Sequence, residues 1–214
     1  MVRSDTLEFI DDTSLPLDVV HHAYREMARV QLCLGNISAI VKRLKHHPAS
    51  IKRVLDVGCG HGALLERIRD KLALEVIGVD LRPMHQPTTV PIVVGDATKD
   101  PLPVADVAVS LCLAHHLSPD DIVRLVQNVS RCCRRFILVD LVRHHVPLAL
   151  FRMFVYPLLP TINAADGLTS IRRAYTGREL GEIVGSAVHG SGARVEHSVA
   201  PFFIRQTFDI YWPT

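Results

Sequence analysis

The sequence predicts an α/β fold, with a single doubly wound, mostly parallel sheet that has helices on both faces. Two observations carry this prediction. Short apolar runs alternate along the chain with segments whose apolar residues recur at three- and four-residue steps, as strands and helices do. The 214 residues are 48% hydrophobic, which is enough apolar surface to offset the entropy of folding. At this length one domain is the expected number.

The chain is organised around residues 53–65, where a short apolar run containing Asp56 leads into a glycine-rich turn and then an amphipathic segment. The turn contains Gly58, Gly60 and Gly62. Glycine lets a ligand approach the backbone, and the helix that follows presents free N–H groups to that ligand. The pattern therefore predicts a nucleotide-like cofactor at the first strand-to-helix turn of the sheet.

The segments before this turn are predicted to cover the sheet. Residues 1–15 are polar and acidic, and we expect them to lie loosely on the surface. Apolar residues then recur at helical spacing from Leu15 to Leu34, and again after Asn36, a residue that favours helix starts. Two helices that pack on one sheet face are the simpler interpretation, and a lid over the cofactor is the alternative.

Four further apolar runs continue the parallel part of the sheet. They cover residues 74–79 before Asp80, 91–94, 104–113 and 136–141. Ser118 and Pro119 predict the start of the helix between the last two runs. After a helix capped by Thr176, residues 194–200 and 202–210 alternate like an antiparallel strand pair around Pro201, which brings the sheet to seven strands.

The segment between the fifth strand and this closing unit does not follow the alternation. Val146 to Ile162 is apolar but contains Arg152 and three prolines, so it does not suit a transmembrane helix, which needs about 20 mostly uninterrupted apolar residues. A lid that walls an apolar pocket, a buried helix and a segment resting on a membrane surface all remain open. The predicted organisation is one domain with a helical cover (1–48), a cofactor-binding core (51–141), a lid-like insertion (142–176) and a closing helix with two strands (177–214).

Charge and cysteine content favour a soluble cytoplasmic protein without nucleic acid as its partner. The 24 basic residues nearly balance the 22 acidic ones and form no stripe that could follow a phosphate backbone. Five cysteines without disulfide-framework spacing indicate a reducing compartment, and no secretion signal is evident at the N-terminus. The oligomeric state stays open.

Three motifs together resemble the class I S-adenosylmethionine-dependent methyltransferases of small-molecule type. The resemblance runs from about Ile51 to Leu141. The matching residues are Asp56-x-Gly58-x-Gly60-x-Gly62 after the first strand, Asp80 at the end of the second, and Gly95-Asp96-Ala97 after the third. The resemblance implies S-adenosylmethionine as cofactor and the seven-stranded sheet of that family.

The residues suggest how such a cofactor is held. Gly58 and Gly60 leave room for its amino-acid end, which Asp56 is close enough to engage, and the Asp80 carboxylate offers two acceptors to the ribose hydroxyls. Asp96 and the Ala97 N–H are placed for adenine. By resemblance, the residue after the fourth strand, near Leu111, touches the methionine portion. The predicted cofactor-binding set is Asp56, Gly58, Cys59, Gly60, Asp80, Leu81, Asp96, Ala97 and Leu111.

His115 and His116 follow the fourth strand and are the candidate catalytic residues. An imidazole titrates near working pH and can take a proton from an acceptor. The alternative is that they orient a loop or line the pocket without moving a proton. Cys112 lies close to them in sequence, but no Cys-x-x-Cys pair or accompanying carboxylate completes a metal site, so no metal is predicted.

The sequence thus predicts methyl transfer to a small, apolar or aromatic metabolite, with oxygen as the first choice of acceptor atom and carbon and nitrogen still open. Gly58-x-Gly60-x-x-Ala63 with Asp80 also satisfies the looser nicotinamide fingerprint, which keeps an NAD(P)-dependent oxidoreductase as one alternative. Gly62, Asp56 and the Gly95-Asp96-Ala97 turn count against it. A regulatory protein that binds S-adenosylmethionine without catalysis is the other alternative.

Overall fold

The computed structural model describes residues 1–12, 14–45, 51–82 and 89–213. Its strands form one seven-stranded sheet in the order β3-β2-β1-β4-β5-β7-β6. The strands are β1 (Arg53–Val57), β2 (Glu75–Asp80), β3 (Ile92–Val94), β4 (Val107–Leu111), β5 (Arg135–Asp140), β6 (Arg194–Val199) and β7 (Gln206–Tyr211). The first five are parallel, whereas β7 runs antiparallel to both β5 and β6. The predicted fold class is confirmed.

Helices cover both faces of this sheet. The α-helices are α1 (Leu17–Cys33), α2 (Asn36–Lys45), α3 (Ala63–Leu72), α4 (Pro119–Ser130), α5 (His145–Leu150), α6 (Thr161–Arg173) and α7 (Gly177–Ala187). On β5, Phe136 packs in the core with α4 and α7, while its neighbour Ile137 packs in the core with α2 and α3. Successive strand residues point to opposite faces, so a strand apolar at every position is buried on both sides.

Local signals set the starts of the helices on one face. Ser118 Oγ accepts a hydrogen bond from Asp121 N at 3.2 Å, with Pro119 as the first residue of α4. At α7, Thr176 Oγ1 accepts from Glu179 N and the Glu179 carboxylate accepts from Thr176 N. Both caps agree with the sequence, because these side chains satisfy N–H groups that the helix itself leaves free.

The fourth strand is shorter than predicted and ends at Leu111. Cys112 has a φ of +58°, an uncommon conformation for a residue with a side chain, and it turns the chain away from the sheet. Its N–H still donates to Val139 O at 2.8 Å. This bend puts Cys112 and the residues after it at the end of the sheet where the parallel strands finish.

The lid-like segment contains a helix that the sequence analysis did not identify. After α5 the chain forms one π-helical turn (Phe151–Val155) and one 3-10 turn (Tyr156–Leu158), and then α6. Gly167 in the middle of α6 allows close packing, because a Cβ there would lie 2.2 Å from the Phe151 ring. None of the helices in the described ranges is both long and apolar enough to cross a membrane.

The expectation that residues 1–15 lie loosely on the surface is wrong for part of this segment. Glu8 and Ile10 are 3% and 6% exposed. The Asp166 carboxylate on α6 accepts hydrogen bonds from Phe9 N at 2.7 Å and Ile10 N at 3.1 Å. Arg3 also donates to the carbonyl oxygens of Arg173 and His115. The polar composition was misleading because the partners of this segment are distant in sequence.

Candidate active site

A cleft of about 380 Å³ lies at the carboxyl ends of β1, β2 and β4. In an open parallel sheet this edge, where the strand order reverses, is the usual place for a ligand. Most of the predicted cofactor-binding residues line the cleft: Asp56, Gly58, Cys59, Gly60, Asp80, Leu81 and Leu111. Tyr24, Met27 and Gln31 of α1 close its other side, so the first helix contributes to the site as well as covering the sheet.

The glycine turn is held open by backbone hydrogen bonds to β2. Gly58 N donates to Val79 O at 2.8 Å, and Gly60 N donates to the Asp80 carboxylate at 2.7 Å. Gly58 and Gly60 have φ values of +72° and +53°, which glycine adopts without strain. A Cβ at Gly60 would lie 3.0 Å from the Tyr24 ring. The turn therefore needs glycine both for its conformation and for the space beside Tyr24.

Asp80 is a fixed acceptor in the wall of this cleft. Its side chain is largely buried, and Oδ1 accepts from Arg82 N at 3.0 Å while Oδ2 accepts from Gly60 N. Burial raises the pKa of Asp80, against the effect of these two hydrogen bonds. Each carboxylate oxygen has two lone pairs, so both retain one for a ribose hydroxyl.

Asp56 gives the clearest indication of the kind of group that the cleft can bind. It is 2% exposed, and no hydrogen-bond donor within the described ranges reaches its Oδ1. Burial, together with the nearby Asp80 charge, raises the pKa of Asp56 well above its ordinary value. A buried acceptor without a donor costs about 1–3 kcal/mol. The ammonium group of S-adenosylmethionine would supply both a donor and a positive charge, so the residues present fit this cofactor.

Asp96 and Ala97 follow β3 and are not among the residues that line the cleft. The Asp96 carboxylate instead accepts hydrogen bonds from Thr98 N at 2.9 Å and Lys99 Nζ at 2.8 Å. Despite partial burial, the bonds from Lys99 and Thr98 lower the pKa of Asp96 to about 2. Its carboxylate thus has local partners, and the predicted contacts of Asp96 and Ala97 with adenine stay predictions.

A second cavity of about 280 Å³ adjoins the cofactor cleft. Its walls are mostly apolar and come from α1, α5 with the turns after it, and α6; they include Val30, Leu34, Leu150, Phe154, Ile171 and Ile204. We call it the acceptor cavity. Met27, Gln31, Cys112 and His116 line both spaces. A molecule in the acceptor cavity would therefore lie next to a cofactor in the cleft.

His115 lies in the wall of the acceptor cavity, where a buried carboxylate orients it. The side chains of His115 and Asp140 are 3% and 2% exposed, and the distance from His115 Nδ1 to Asp140 Oδ1 is 2.6 Å. Asp140 Oδ2 also accepts from His115 N at 2.9 Å. Burial opposes ionisation of Asp140, but the charge and hydrogen bond of His115 outweigh it and lower the pKa of Asp140. An ionised carboxylate only accepts, so Nδ1 of His115 carries a proton, and in the neutral imidazole Nε2 has the lone pair.

His116 has a matching partner in Asp11. Its Nδ1 is 3.1 Å from Asp11 Oδ1, and Arg173 forms a close ion pair with the other oxygen of Asp11. Burial opposes ionisation of Asp11, but the hydrogen bonds from His116 and Arg173 outweigh it and lower its pKa. The two histidines are therefore held in the same way, each by a carboxylate on Nδ1.

Glu8 faces both histidines from the N-terminal segment. Its carboxylate oxygens lie 3.6 Å from His115 Nε2 and 3.8 Å from His116 Nε2, beyond hydrogen-bond distance. Burial raises the pKa of Glu8 to about 7, although the positive charges of His116 and Arg173 act against this. We call the six residues Glu8, Asp11, His115, His116, Asp140 and Arg173 the histidine–carboxylate cluster.

Sequence reasoning placed the two histidines near the cofactor but missed the carboxylates around them. Asp140 could have been found, because it ends a parallel strand as Asp80 does. Glu8, Asp11 and Tyr24 carry no such signal: each lies in an N-terminal segment without a motif, and each comes to the site only through long-range packing.

Comparisons with known proteins agree with this geometry. Residues 54–135 match the family model described as "Methyltransferase domain". No curated protein sequence matches the chain. The matched residues include most of β1, the glycine turn, β2, β3, β4 and α4, which supply the strand-end side of the cofactor cleft but not its α1 side.

Several solved structures share the fold at low sequence identity. The plantazolicin methyltransferase BamL, in complex with a triazolic desmethylPZN analogue and SAH, has a TM-score of 0.72 at 11% identity over 91% of this chain and 91% of that chain. Human N-acetylserotonin methyltransferase in complex with SAM has a TM-score of 0.62 at 15% identity over 89% of this chain and 55% of that chain. The small RNA methyltransferase HEN1 has a TM-score of 0.63 at 16% identity over 85% of this chain and 25% of that chain. The printed names of these proteins point to different kinds of acceptor, so the shared fold does not identify one.

Proposed function

We propose that this chain is a class I S-adenosylmethionine-dependent methyltransferase that transfers the methyl group of this cofactor to an oxygen atom of a small, apolar or aromatic metabolite. The match of residues 54–135 to a methyltransferase domain and the fold shared with solved methyltransferases support this proposal. Asp56 and Asp80 are the proposed partners of the amino-acid and ribose portions, and the glycine turn admits the sulfur to the cleft. Cys59, Leu81 and Leu111 complete the wall beside the cofactor.

One observation carries the proposed acceptor class: a mostly apolar cavity joins the cofactor cleft through four shared residues, Met27, Gln31, Cys112 and His116. Apolar walls with a few polar groups at one end are typical of sites for small molecules. Here the polar groups include Glu8, His115 and His116 of the histidine–carboxylate cluster. An apolar or aromatic body along the walls would place a polar group of the acceptor beside His115 and His116.

Methyl transfer requires the protein to position the reactants and does not require it to form a covalent bond with them. An acceptor oxygen attacks the methyl carbon, a new O–C bond forms, and the S–C bond breaks with its electron pair remaining on sulfur. Holding oxygen, carbon and sulfur in line supplies much of the acceleration. The acceptor must also lose its hydroxyl proton, and we propose that His115 and His116 assist this loss, because both residues line the cavity that the acceptor would occupy.

A macromolecular acceptor fits the cavity less well. HEN1 is named for small RNA, but the acceptor cavity here is bounded by side chains such as Phe154 and Ile171, without a basic stripe along which a phosphate backbone could lie. The absence of nucleic acid as a partner is therefore part of the proposal, as is a cytoplasmic location.

A methyl-transfer assay tests the proposal. The protein would be incubated with S-adenosylmethionine carrying a labelled methyl group and a panel of apolar phenols, alcohols, amines and carbon acids. We expect label on a hydroxyl compound, and we expect His115→Ala and His116→Ala to lower turnover by at least about 100-fold, the lower end of what proton transfer contributes. His189→Ala removes an exposed imidazole after α7 and is the matched control.

The outcomes separate the alternatives. Transfer to amines or carbon acids alone would contradict the choice of oxygen. Binding of S-adenosylhomocysteine without transfer to any compound, including a metabolite extract, would favour the non-catalytic regulatory protein. Stabilisation of the folded protein by NADH but not by S-adenosylhomocysteine would favour the NAD(P)-dependent oxidoreductase.

A further inference from the structure

We infer that Glu8, His115 and His116 form a binding site for a divalent transition-metal cation at the polar end of the acceptor cavity. One ligand atom from each residue can be chosen so that all three lie within 4.8 Å of one another. All three residues line the acceptor cavity. The sequence analysis found no carboxylate to complete a metal site, because Glu8 comes from a distant part of the chain.

The first argument is that Glu8 and the two Nε2 atoms converge here without a hydrogen bond between the carboxylate and either histidine. Glu8 Oε1 is buried and has no hydrogen-bond donor within the described part of the chain. The nearest histidine nitrogens lie 3.6 and 3.8 Å from the carboxylate, too far for a direct hydrogen bond. Lone pairs that face one another in a buried site repel, and a cation between them removes that repulsion.

The second argument is that a carboxylate lies next to Nδ1 of each imidazole. Asp140 Oδ1 lies 2.6 Å from His115 Nδ1, and Asp11 Oδ1 lies 3.1 Å from His116 Nδ1. Asp140 also accepts from the backbone N–H groups of His115 and Leu141, which identifies it as an acceptor in this pair. A carboxylate on one ring nitrogen fixes the tautomer and turns the other nitrogen into a ligand, as in most metal-binding histidines.

The size and donor type of the site suit a first-row transition metal. Zinc lies about 2.0–2.2 Å from nitrogen and carboxylate ligands, and the tetrahedral angle between two such ligands puts them about 3.4 Å apart, with about 4.2 Å as the limit for opposite ligands. The separations of 3.6 and 3.8 Å fall within that limit. Two imidazoles and one carboxylate favour Zn²⁺ or Mn²⁺ over Mg²⁺ and Ca²⁺, which prefer oxygen ligands.

The charge of the cluster also favours a dication. Glu8, Asp11 and Asp140 bring three carboxylates, and within the cluster only Arg173 brings a permanent positive charge. Arg173 Nη1 lies 3.7 Å from Glu8 Oε1, but its close contact is with Asp11. The guanidinium is therefore committed mainly to Asp11, and Glu8 keeps a lone pair for the ion.

The inference refines the proposed function, since a bound ion uses both imidazole lone pairs. An ion held by Glu8, His115 and His116 would polarise the acceptor hydroxyl and lower its pKa, so that the hydroxyl would lose its proton to solvent more readily. The histidines assist the loss of that proton by holding the ion. The cation site itself does not depend on the identity of the acceptor.

Metal binding to the purified protein tests the inference without cofactor or acceptor. After dialysis against a chelator and its removal, the full chain would be titrated with Mn²⁺ while the signal of free Mn²⁺ is followed by electron paramagnetic resonance. We expect one equivalent to bind, Zn²⁺ to displace it, and Mg²⁺ to leave it in place. Glu8→Gln and His116→Ala should weaken binding by at least about 10-fold, and Asp11→Asn by about 10- to 100-fold.

His189→Ala, which removes an imidazole outside the cluster, should bind Mn²⁺ as the unchanged protein does. Melting temperatures measured in chelator show whether each variant is folded, and His116→Ala is the safer substitution because its side chain is 21% exposed. Absence of binding at millimolar Mn²⁺, or binding that the cluster variants leave unchanged, would overturn the inference. Either result leaves the methyl-transfer assay unaffected, so the two proposals fail separately.

Discussion

The cofactor cleft and the acceptor cavity share four wall residues, yet the chain builds them in different ways. The cleft is made largely from short runs at the ends of neighbouring strands: residues 56–60 after β1, 80–82 after β2, and 111–113 after β4. The acceptor cavity takes its walls from α1, the bend after β4, the turns after α5, α6 and Ile204. Glu8 adds a carboxylate from the N-terminal segment.

The two cavities differ in the hydrogen bonds that hold their walls: those of the cleft join neighbouring strands, and those of the acceptor cavity join segments far apart in sequence. In the cleft, backbone hydrogen bonds between consecutive strands hold the glycine turn, as in the bond from Gly58 N to Val79 O. Around the acceptor cavity, side chains distant in sequence hold one another, as Asp166 holds Phe9 and Ile10. Substitutions should therefore impair cofactor binding and methyl transfer independently, depending on which type of support they remove.

The largest effect is expected from Asp80→Ala. The variant loses both the predicted ribose contacts and the hydrogen bond that holds Gly60 N. Hydrogen bonds to a charged group are each worth about 1.5–3 kcal/mol, so loss of the two ribose contacts should lower affinity for S-adenosylhomocysteine by about 100-fold or more. Isothermal titration measures the loss, and Asp70→Ala, an exposed acid on α3, is the control. Unchanged affinity in Asp80→Ala would show that the ribose assignment is wrong.

Asp166→Asn should lower turnover and leave cofactor affinity nearly unchanged. Loss of the Asp166 charge weakens the hydrogen bonds that fix Phe9 and Ile10, and with them the position of Glu8. We expect turnover to fall by about 10-fold, which corresponds to about 1.4 kcal/mol, while affinity for S-adenosylhomocysteine changes less than about 2-fold.

Limited proteolysis of residues 1–12 would report directly on the Asp166→Asn variant, which should be cut faster than the unchanged protein. Asp106→Asn is a suitable control, because Asp106 likewise accepts from two backbone N–H groups, those of Lys52 and Arg53, but outside both cavities. If both variants lost the same turnover, the special role of the N-terminal segment would be refuted.

Asp56, in the cofactor cleft, should make the stability of the folded protein depend on pH. Its folded pKa is raised above the unfolded value by burial and by Asp80, so the folded state gains relative stability as pH falls through the folded pKa and loses it as pH rises. Asp56→Asn removes this titration. Its melting temperature relative to the unchanged protein should therefore rise toward alkaline pH, and a difference independent of pH would contradict the assignment.

The smallest effect is expected from Asp96→Asn. Because its pKa is lowered to about 2, ionised Asp96 stabilises the fold above the unfolded value near 3.8, and that contribution is lost as pH falls from about 4 to 2. The pair with Lys99 is largely exposed, so the loss at neutral pH should stay below about 1 kcal/mol. Chemical denaturation measures it. A loss of cofactor affinity as large as that of Asp80→Ala would instead support the adenine contact.

The same contrast explains which features could be predicted from the sequence. The strands, the capped helices α4 and α7, and the cleft residues from Asp56 to Asp80 follow from patterns within a few neighbouring residues, because strand ends, turns and caps are local chemistry. α6 was not predicted because Gly167 and Asp166 interrupt its apolar face. Gly167 makes room for the Phe151 ring, and Asp166 accepts a hydrogen bond from the N-terminal segment, and neither contact is visible in the sequence.

By itself, the sequence determined the order of the strands, the glycine turn and the acids at or just after the ends of β1, β2 and β3, and these were enough to predict the fold and the cofactor. Only the tertiary structure decided that Glu8 and Asp11 join His115, His116 and Asp140 beside an apolar cavity. The physical reason is that a turn or a cap is specified by residues within hydrogen-bonding reach along the chain. The histidine–carboxylate cluster, in contrast, depends on packing between segments that are far apart in sequence and that meet only in the folded protein.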